Sequence, residues 1–365
     1  MKMFLSSDVD EIVRELGPDF WKRFAGKRVL LTGARGFLGR YFTEVFARAN
    51  EMFLSPYAGE AGSASIGPPV EVVALDSLIA SGAYGNEKVD LPNVFFVQHD
   101  VTVPFFPERP IDFILHAAGI ASPFYYRKFP VETYRVSSIG THNVLEIARR
   151  NPGSRLLYFS SSEIYGDPDA KHVPTAESYR GYVSCLGDRA VYDEGKRFGE
   201  MMVKVHHEQF GVSGSIVRPF NCFGPGMQRT DYRVLPNFAA RWVDGEPLHV
   251  YGTGEQTRTF CYVTDAIRGF LLALVYGVPG EPYNIGNPDP EISMAALARM
   301  VGRITNQDVR FDKVEHPDSY PADEPQRRCP DVTKAREQLG YTPKVGLEDG
   351  LRRFFGWADV AYRET

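Results

Sequence analysis

The feature that most constrains this chain is a short apolar run followed by three evenly spaced glycines. Arg28-Val-Leu-Leu-Thr32 leads into Gly33-Ala-Arg35-Gly36-Phe37-Leu38-Gly39, and a helical stretch follows from Arg40 to about Asn50. The spacing has a steric logic. One glycine lets the chain turn tightly, one lets the backbone approach a pyrophosphate, and one lets the helix lie close to the sheet. Free N–H groups and the dipole at the helix start then favour an anion. A strand, a glycine loop and a helix in that order read as a dinucleotide-binding unit.

Downstream the same rhythm continues. Apolar runs over Glu71–Leu75, Asn93–Val97, Asp112–His116 and Arg155–Phe159 read as strands, and a long helix is expected from about Val131 to Arg150. Short apolar strands alternating with helices imply an α/β chain with a Rossmann-type, doubly wound parallel sheet. After residue 215 prolines, glycines and short segments dominate. The expected organisation is an N-terminal extension over 1–26, a cofactor-binding domain over 27–215, and a smaller α/β substrate domain over 216–365, interleaved with the first. Ile12, Val13 and Leu16 give the extension an apolar helix face, which either caps its own domain or meets a partner. Residues 51–69, rich in Gly, Ser, Pro and Ala, read as a loop insertion.

Composition excludes several classes. The chain has 41 basic and 46 acidic residues, a net charge of −5, and lacks the basic footprint of a nucleic-acid binder. No stretch reaches the roughly 18 apolar residues of a membrane span, and Asp8 and Asp10 break the apolar start, so no signal peptide is read. The four cysteines, Cys185, Cys222, Cys261 and Cys329, form no CxxC pair. They read as reduced thiols of a cytoplasmic protein, with no metal site. His206 and His207 are adjacent on a helix and do not share a face, so they do not form a metal pair.

Asp76 closes the second strand, where a carboxylate holds a ribose 2′-OH; this favours NAD over NADP. Arg35 points the other way, since it could pair with a 2′-phosphate. No basic residue directly follows Asp76, and NAD is the expected cofactor. Asp100 and Val101, at the end of the third strand, are expected near the adenine, although an Asp there also serves as a strand-end cap.

Tyr192-Asp-Glu-Gly-Lys196 places a tyrosine and a lysine at i and i+4, on one helix face. A nearby ammonium is expected to lower the tyrosine toward the working range, so that Tyr192 can take a proton from a sugar hydroxyl. The fifth strand ends in Ser160-Ser161-Ser162-Glu163, at the sheet edge where ligands sit. Ser161 can then share the substrate oxygen with Tyr192.

Together these motifs, with the strand end His116-Ala117-Ala118-Gly119, resemble the extended short-chain dehydrogenase/reductase (NAD-dependent epimerase/dehydratase) family over about residues 27–356. Three segments are similar to that family's nucleotide-sugar segments: Arg218-Pro-Phe-Asn221-Cys-Phe-Gly-Pro225, Val250-Tyr251 through Arg258, and Tyr283-Asn-Ile-Gly-Asn287. Within it, Ala121-Ser-Pro123-Phe-Tyr-Tyr126, Ser161-Ser162-Glu163-Ile-Tyr-Gly-Asp-Pro168, Tyr192 to Arg197 and Gln326-Arg-Arg328-Cys-Pro-Asp331 resemble the UDP-glucuronate decarboxylases (UDP-xylose synthases). The chain departs from them at Ser184-Cys-Leu-Gly-Asp-Arg189, where they carry NPIGER.

The resemblance implies that Tyr192, Lys196, Ser161, Glu163 and Arg328 carry the chemistry. Gly33, Arg35, Gly36, Phe37, Leu38, Gly39, Asp76, Asp100, Val101, Ala117 and Ala118 would bind NAD with Tyr192 and Lys196. Pro123, Tyr126, Ser162, Asn221, Arg233, Tyr251 and Arg258 would meet a nucleotide sugar, expected to be UDP-linked, with Arg233 and Arg258 on its diphosphate. Arg233 also reads as a surface arginine. Glu163 and Arg328 would handle the sugar carboxylate and protonation of C5. The implied reaction is C4 oxidation of UDP-glucuronate followed by decarboxylation, to UDP-xylose or the 4-keto pentose. A 4-epimerase would use the same Ser, Tyr and Lys. A 4,6-dehydratase would want an Asp where this chain has Ser162. A non-catalytic NAD-binding protein would need none of that set. A homodimer through the helices around 131–150 and 192–210 is also implied.

Overall fold

The computed structural model describes residues 4–54, 65–80, 90–306, 311–314 and 325–363. Most of the expected 51–69 insertion, residues 55–64, lies outside them. Six strands build the sheet in chain order: β1 (Arg28–Thr32), β2 (Glu71–Asp76), β3 (Val94–Gln98), β4 (Phe113–His116), β5 (Arg155–Phe159) and β6 (Ser213–Pro219). Pro282–Ile285 adds the seventh, an edge strand beside β6. All pairings are parallel, and β1 lies between β2 and β4. The order therefore reverses at β1, which is where a doubly wound sheet opens a crevice at its carboxyl edge.

The helices that matter here are α1 (Ser6–Trp21), α2 (Phe37–Ala49), α3 (Pro123–Lys128), α4 (Pro130–Arg135), α5 (Thr141–Arg150), α6 (Ala190–Phe210), α7 (Val234–Val243) and α8 (Val263–Tyr276). The long helix expected over 131–150 is interrupted by a π-helical turn at Val136–Gly140. Gly140 sits there against Val101, whose Cγ2 would lie 2.7 Å from an added Cβ.

The N-terminal segment packs against its own chain. Val9, Ile12, Val13 and Trp21 of α1 are buried in the main core, and α1 bends at Gly17, whose φ is +75°. Buried polar contacts fasten it: the Tyr262 hydroxyl donates to Asp8 Oδ2 at 2.8 Å, and Arg353 Nη1 donates to Glu11 Oε2 at 2.7 Å. Burial pushes the Asp8 carboxyl up to about 6, against the pull of Tyr262 and Arg353.

At the switch point β1 and β4 end side by side. The Ala118 N–H donates to Thr32 Oγ1 at 3.2 Å, and Thr32 Oγ1 lies 2.8 Å from His116 Nδ1. The other ring nitrogen, His116 Nε2, lies 3.1 Å from Thr141 Oγ1. Burial, with the Lys196 charge, pushes His116 down to about 3, so this ring is neutral.

Candidate active site

A cavity of about 890 Å³ opens at the carboxyl edge of the sheet, lined by the glycine loop and by Tyr192 and Lys196. This is near the upper end of small-ligand pocket sizes.

The three glycines do separate jobs. Gly33 adopts φ +74°, and a Cβ there would meet the Ala117 carbonyl oxygen at 2.7 Å. A Cβ on Gly39 would lie 2.1 Å from the Gly33 carbonyl oxygen, so only glycine lets α2 start this close to β1. Gly36 stands at the N-cap of α2 and lines the cavity. Asp76 accepts the N–H groups of Arg35 (2.7 Å) and Leu78 (2.8 Å), which fixes its carboxylate at the cavity wall. Ser122 Oγ, Arg127 Nη1 and Ser160 Oγ are buried without a hydrogen-bond partner among the described residues, and all three residues line the cavity. The glycine cradle, the placed carboxylate and these orphaned polar groups fit a dinucleotide.

Arg35, also expected at the cofactor, gives its N–H to Asp76, and its buried side chain lies with the guanidinium carbon 5.7 Å from the Phe96 ring centroid. Phe37, Leu38, Asp100, Val101, Ala117 and Ala118 all line the cavity, as expected.

Tyr192 lies near the start of α6 and is buried, and it lines the cavity with Ser161. Ser161 caps the 3₁₀ turn Ser162–Tyr165 by accepting the Glu163 N–H at 3.2 Å. Lys196 shares the helix face with Tyr192, its Nζ 5.8 Å from the Tyr192 ring centroid, but its hydrogen bond goes to the Phe159 carbonyl at 2.7 Å. The expected lowering of Tyr192 is therefore corrected. Burial pushes its hydroxyl up to about 12, opposed by the Ser161 hydrogen bond and the Arg233 charge. Burial also pushes Lys196 down to about 8.

Glu163 lines the cavity within a cluster of cations. Arg328 donates to both its oxygens, at 2.5 and 2.7 Å, and Arg189 donates to Oε2. Burial alone would raise this carboxyl; Arg189, Arg328 and Arg258 outweigh it and hold Glu163 well below the ordinary carboxylate range. Glu163 is thus ionised near neutrality, and the expectation that it stores the proton for C5 does not fit this state. Arg328, buried, gives both its Nη groups to Glu163.

Pro123, Tyr126, Ser162, Asn221, Arg233, Tyr251 and Arg258 all line the cavity. Arg258 donates to the carbonyls of Thr257, Gln326 and Pro325, so it also ties Pro325–Arg328 to its own strand. Arg233 is partly exposed, with Asp231 taking its Nε at 3.0 Å. Three residues were missed by the sequence reading. Arg189 lines the cavity between Glu163 and Asp193, whose Oδ2 is 3.7 Å from its Nε. Phe124 and Tyr232 stack across the cavity, 4.9 Å between centroids. Arg189 falls three residues before Tyr192, in the segment singled out as a departure; the aromatic pair left no local signal.

Residues 29–286 match the NAD dependent epimerase/dehydratase family. The chain belongs to this family. Among its relatives, the UDP-glucuronic acid decarboxylase 6 of Arabidopsis thaliana is 39% identical over 326 residues, covering 89% of this chain and 86% of that protein. The UDP-glucuronic acid decarboxylase 1 of Xenopus tropicalis is 38% identical over 90% of this chain and 71% of its own length. Of solved structures in the family, a dTDP-glucose 4,6-dehydratase of Streptomyces venezuelae with NAD bound superposes with a TM-score of 0.74 at 26% identity, over 93% of this chain and 97% of that one. An epimerase of Methanothermobacter thermautotrophicus gives 0.76 at 26% identity, over 93% and 94%. No helix among the described residues is long and apolar enough to cross a membrane.

Proposed function

We propose that this chain uses NAD to oxidise C4 of UDP-glucuronate and to decarboxylate it, giving UDP-xylose or the 4-keto pentose. The observation that carries the reading is that Ser161, Tyr192 and an ionised Glu163 with its partner Arg189 line one cavity together with a dinucleotide cradle. The identity to UDP-glucuronic acid decarboxylases supports the choice of sugar.

Residues 27–215 hold the cofactor and residues 216–365 mainly the nucleotide sugar. Gly33, Gly36, Phe37, Leu38 and Gly39 would cradle the NAD diphosphate, and Asp76 its adenosine ribose. When bound, oxidised NAD supplies a positive ring that favours the Tyr192 phenolate and a reversible hydride acceptor for C4. Tyr192 takes the proton of the C4 hydroxyl as that carbon becomes a ketone. The C6 carboxylate is then β to the ketone; the C5–C6 bond breaks, CO₂ leaves, and the electron pair passes into the C4 oxygen as an enolate. Hydrogen bonds from Tyr192 and Ser161 stabilise that oxygen. A proton then adds at C5.

Water loss is disfavoured at Ser162, which lines the cavity and cannot give the acid a 4,6-dehydratase needs. A homodimer through α4, α5 and α6 is supported by the exposed apolar side chains Val131, Tyr134, Phe198, Met201 and Val205. The free cysteines Cys185, Cys222, Cys261 and Cys329 support a reducing, cytoplasmic setting.

Tyr192→Phe tests the assignment. The variant should still bind NAD but lose turnover of UDP-glucuronate by at least about 100-fold, the lower range for a general base. Turnover near the parent rate would contradict it.

A further inference from the structure

The reaction has one intermediate that is open to loss. Once CO₂ has gone, the 4-keto pentose lacks the charged group that the sugar brought in. It must nevertheless stay until hydride returns to C4 and the C4 oxygen takes a proton. Escape before that step yields the 4-keto pentose and NADH in place of UDP-xylose. Whether the chain finishes the reaction therefore depends on what closes the cavity.

Phe124 and Tyr232 stand where the cavity meets solvent: both line it, and they are 42% and 58% exposed. Their rings stack, 4.9 Å between centroids and 26° between planes. Phe124 comes from α3, after β4, and Tyr232 from the segment between Cys222–Phe223 and α7. Each ring is carried on an anchored base. Phe124 and Tyr126 are two residues apart on α3, so they point to opposite sides of the helix; Tyr126 is buried against the Tyr192 ring, and Phe124 faces out. On the other side, the Asp231 N–H donates to the Gln228 carbonyl at 2.9 Å, and Asp231 Oδ1 accepts the Arg233 N–H at 3.0 Å. The backbone on either side of Tyr232 is thus held in a turn, and the two exposed rings are the parts free to separate. An aromatic pair favours contact by about 2- to 10-fold. That keeps the rings together most of the time and still lets them part to admit a ligand.

We propose that Phe124 and Tyr232 form a clasp over the occupied cavity that retains the 4-keto pentose until hydride returns, so that this pair sets the division between UDP-xylose and released 4-keto pentose. The proposal rests on the decarboxylase reading and adds to it the residues that decide the product.

The test uses the full chain with NAD and UDP-glucuronate. Mass spectrometry weighs UDP-xylose against the 4-keto pentose nucleotide, and absorbance follows released NADH. Phe124→Ala and Tyr232→Ala should each raise the ratio of 4-keto pentose to UDP-xylose by about 2- to 10-fold. Tyr232→Phe keeps the ring and should stay within about 2-fold of the parent. The double alanine variant should match the single ones, because one contact is lost only once. A second measurement needs no turnover. In a Tyr192→Phe background loaded with NAD, stopped-flow release of UDP-xylose should quicken by about 2- to 10-fold in both alanine variants. An unchanged product ratio, an unchanged release rate, or single effects that multiply in the double variant overturns the clasp. A parent that forms no CO₂ overturns the decarboxylase reading instead, and the release rates still decide the clasp.

Discussion

The ring of Tyr126 lies nearly parallel to that of Tyr192, 5.4 Å between centroids and 14° between planes. Tyr126 is 1% exposed and comes from α3, the short helix that follows β4. The stack thus joins the segment after the fourth strand to the start of α6, and it fixes the reactive ring from its flat side.

Removing the stack should loosen Tyr192 without removing any group that transfers a proton. An aromatic pair contributes about 0.5–1.5 kcal/mol beyond its buried area, and 1.36 kcal/mol is tenfold in rate. Tyr126→Ala should lower kcat by about 2- to 10-fold, and Tyr126→Phe, which keeps the ring, should restore most of it. Steady-state kinetics of both variants on UDP-glucuronate checks this; equal losses would locate the effect in the hydroxyl and not the stack.

The glycine loop makes a prediction about sterics. A methyl at Gly39 would overlap the Gly33 carbonyl, with backbone on both sides. Gly39→Ala should cost about 1–3 kcal/mol, as overpacking does, and should weaken NAD binding together with stability. Gly356, on the C-terminal helix Leu347–Ala361, is the control: it is exposed, and a Cβ there meets nothing within 4 Å. Gly356→Ala should stabilise by about 0.5–1 kcal/mol, the helix propensity difference. Denaturant unfolding and NAD titration of the two variants should diverge in this way.

Asp8 gives stability a pH dependence of known sign. Its folded carboxyl is raised from 3.8 to about 6, chiefly by burial. The folded state therefore prefers the protonated form. The stabilising contribution is full below about pH 4 and is lost as pH rises through about 6, a change of roughly 2–3 kcal/mol. Asp8→Asn mimics the protonated group and keeps an acceptor for Tyr262. Its unfolding free energy should fall less than that of the parent between pH 5 and pH 8. Parallel pH profiles for the two proteins would remove Asp8 as the cause.

The cofactor end of this site was legible in the sequence because its constraints are local. Gly33, Gly36 and Gly39 are needed where the loop touches itself or Ala117, and Asp76 ends its strand beside Arg35. The i, i+4 spacing of Tyr192 and Lys196 also placed them on one face. It could not show that Lys196 spends its hydrogen bond on Phe159, or that burial outweighs charge at Tyr192. Nor does the loop sequence reveal that the Arg35 guanidinium lies near the ring of Phe96, on another strand. The cluster around Glu163 draws Arg189 from 26 residues away and Arg328 from 165. Asp8 meets Tyr262 across 254 residues. Such pairings are set by how the sheet and helices close on one another, and no spacing in the chain encodes them.

The most direct measurement is the mass of the product formed when the purified chain is incubated with NAD and UDP-glucuronate. The account predicts loss of CO₂ and appearance of UDP-xylose, or of the 4-keto pentose nucleotide with NADH released. A product of unchanged mass that is an isomer of the substrate would contradict it and assign epimerisation to the same Ser161, Tyr192 and Lys196.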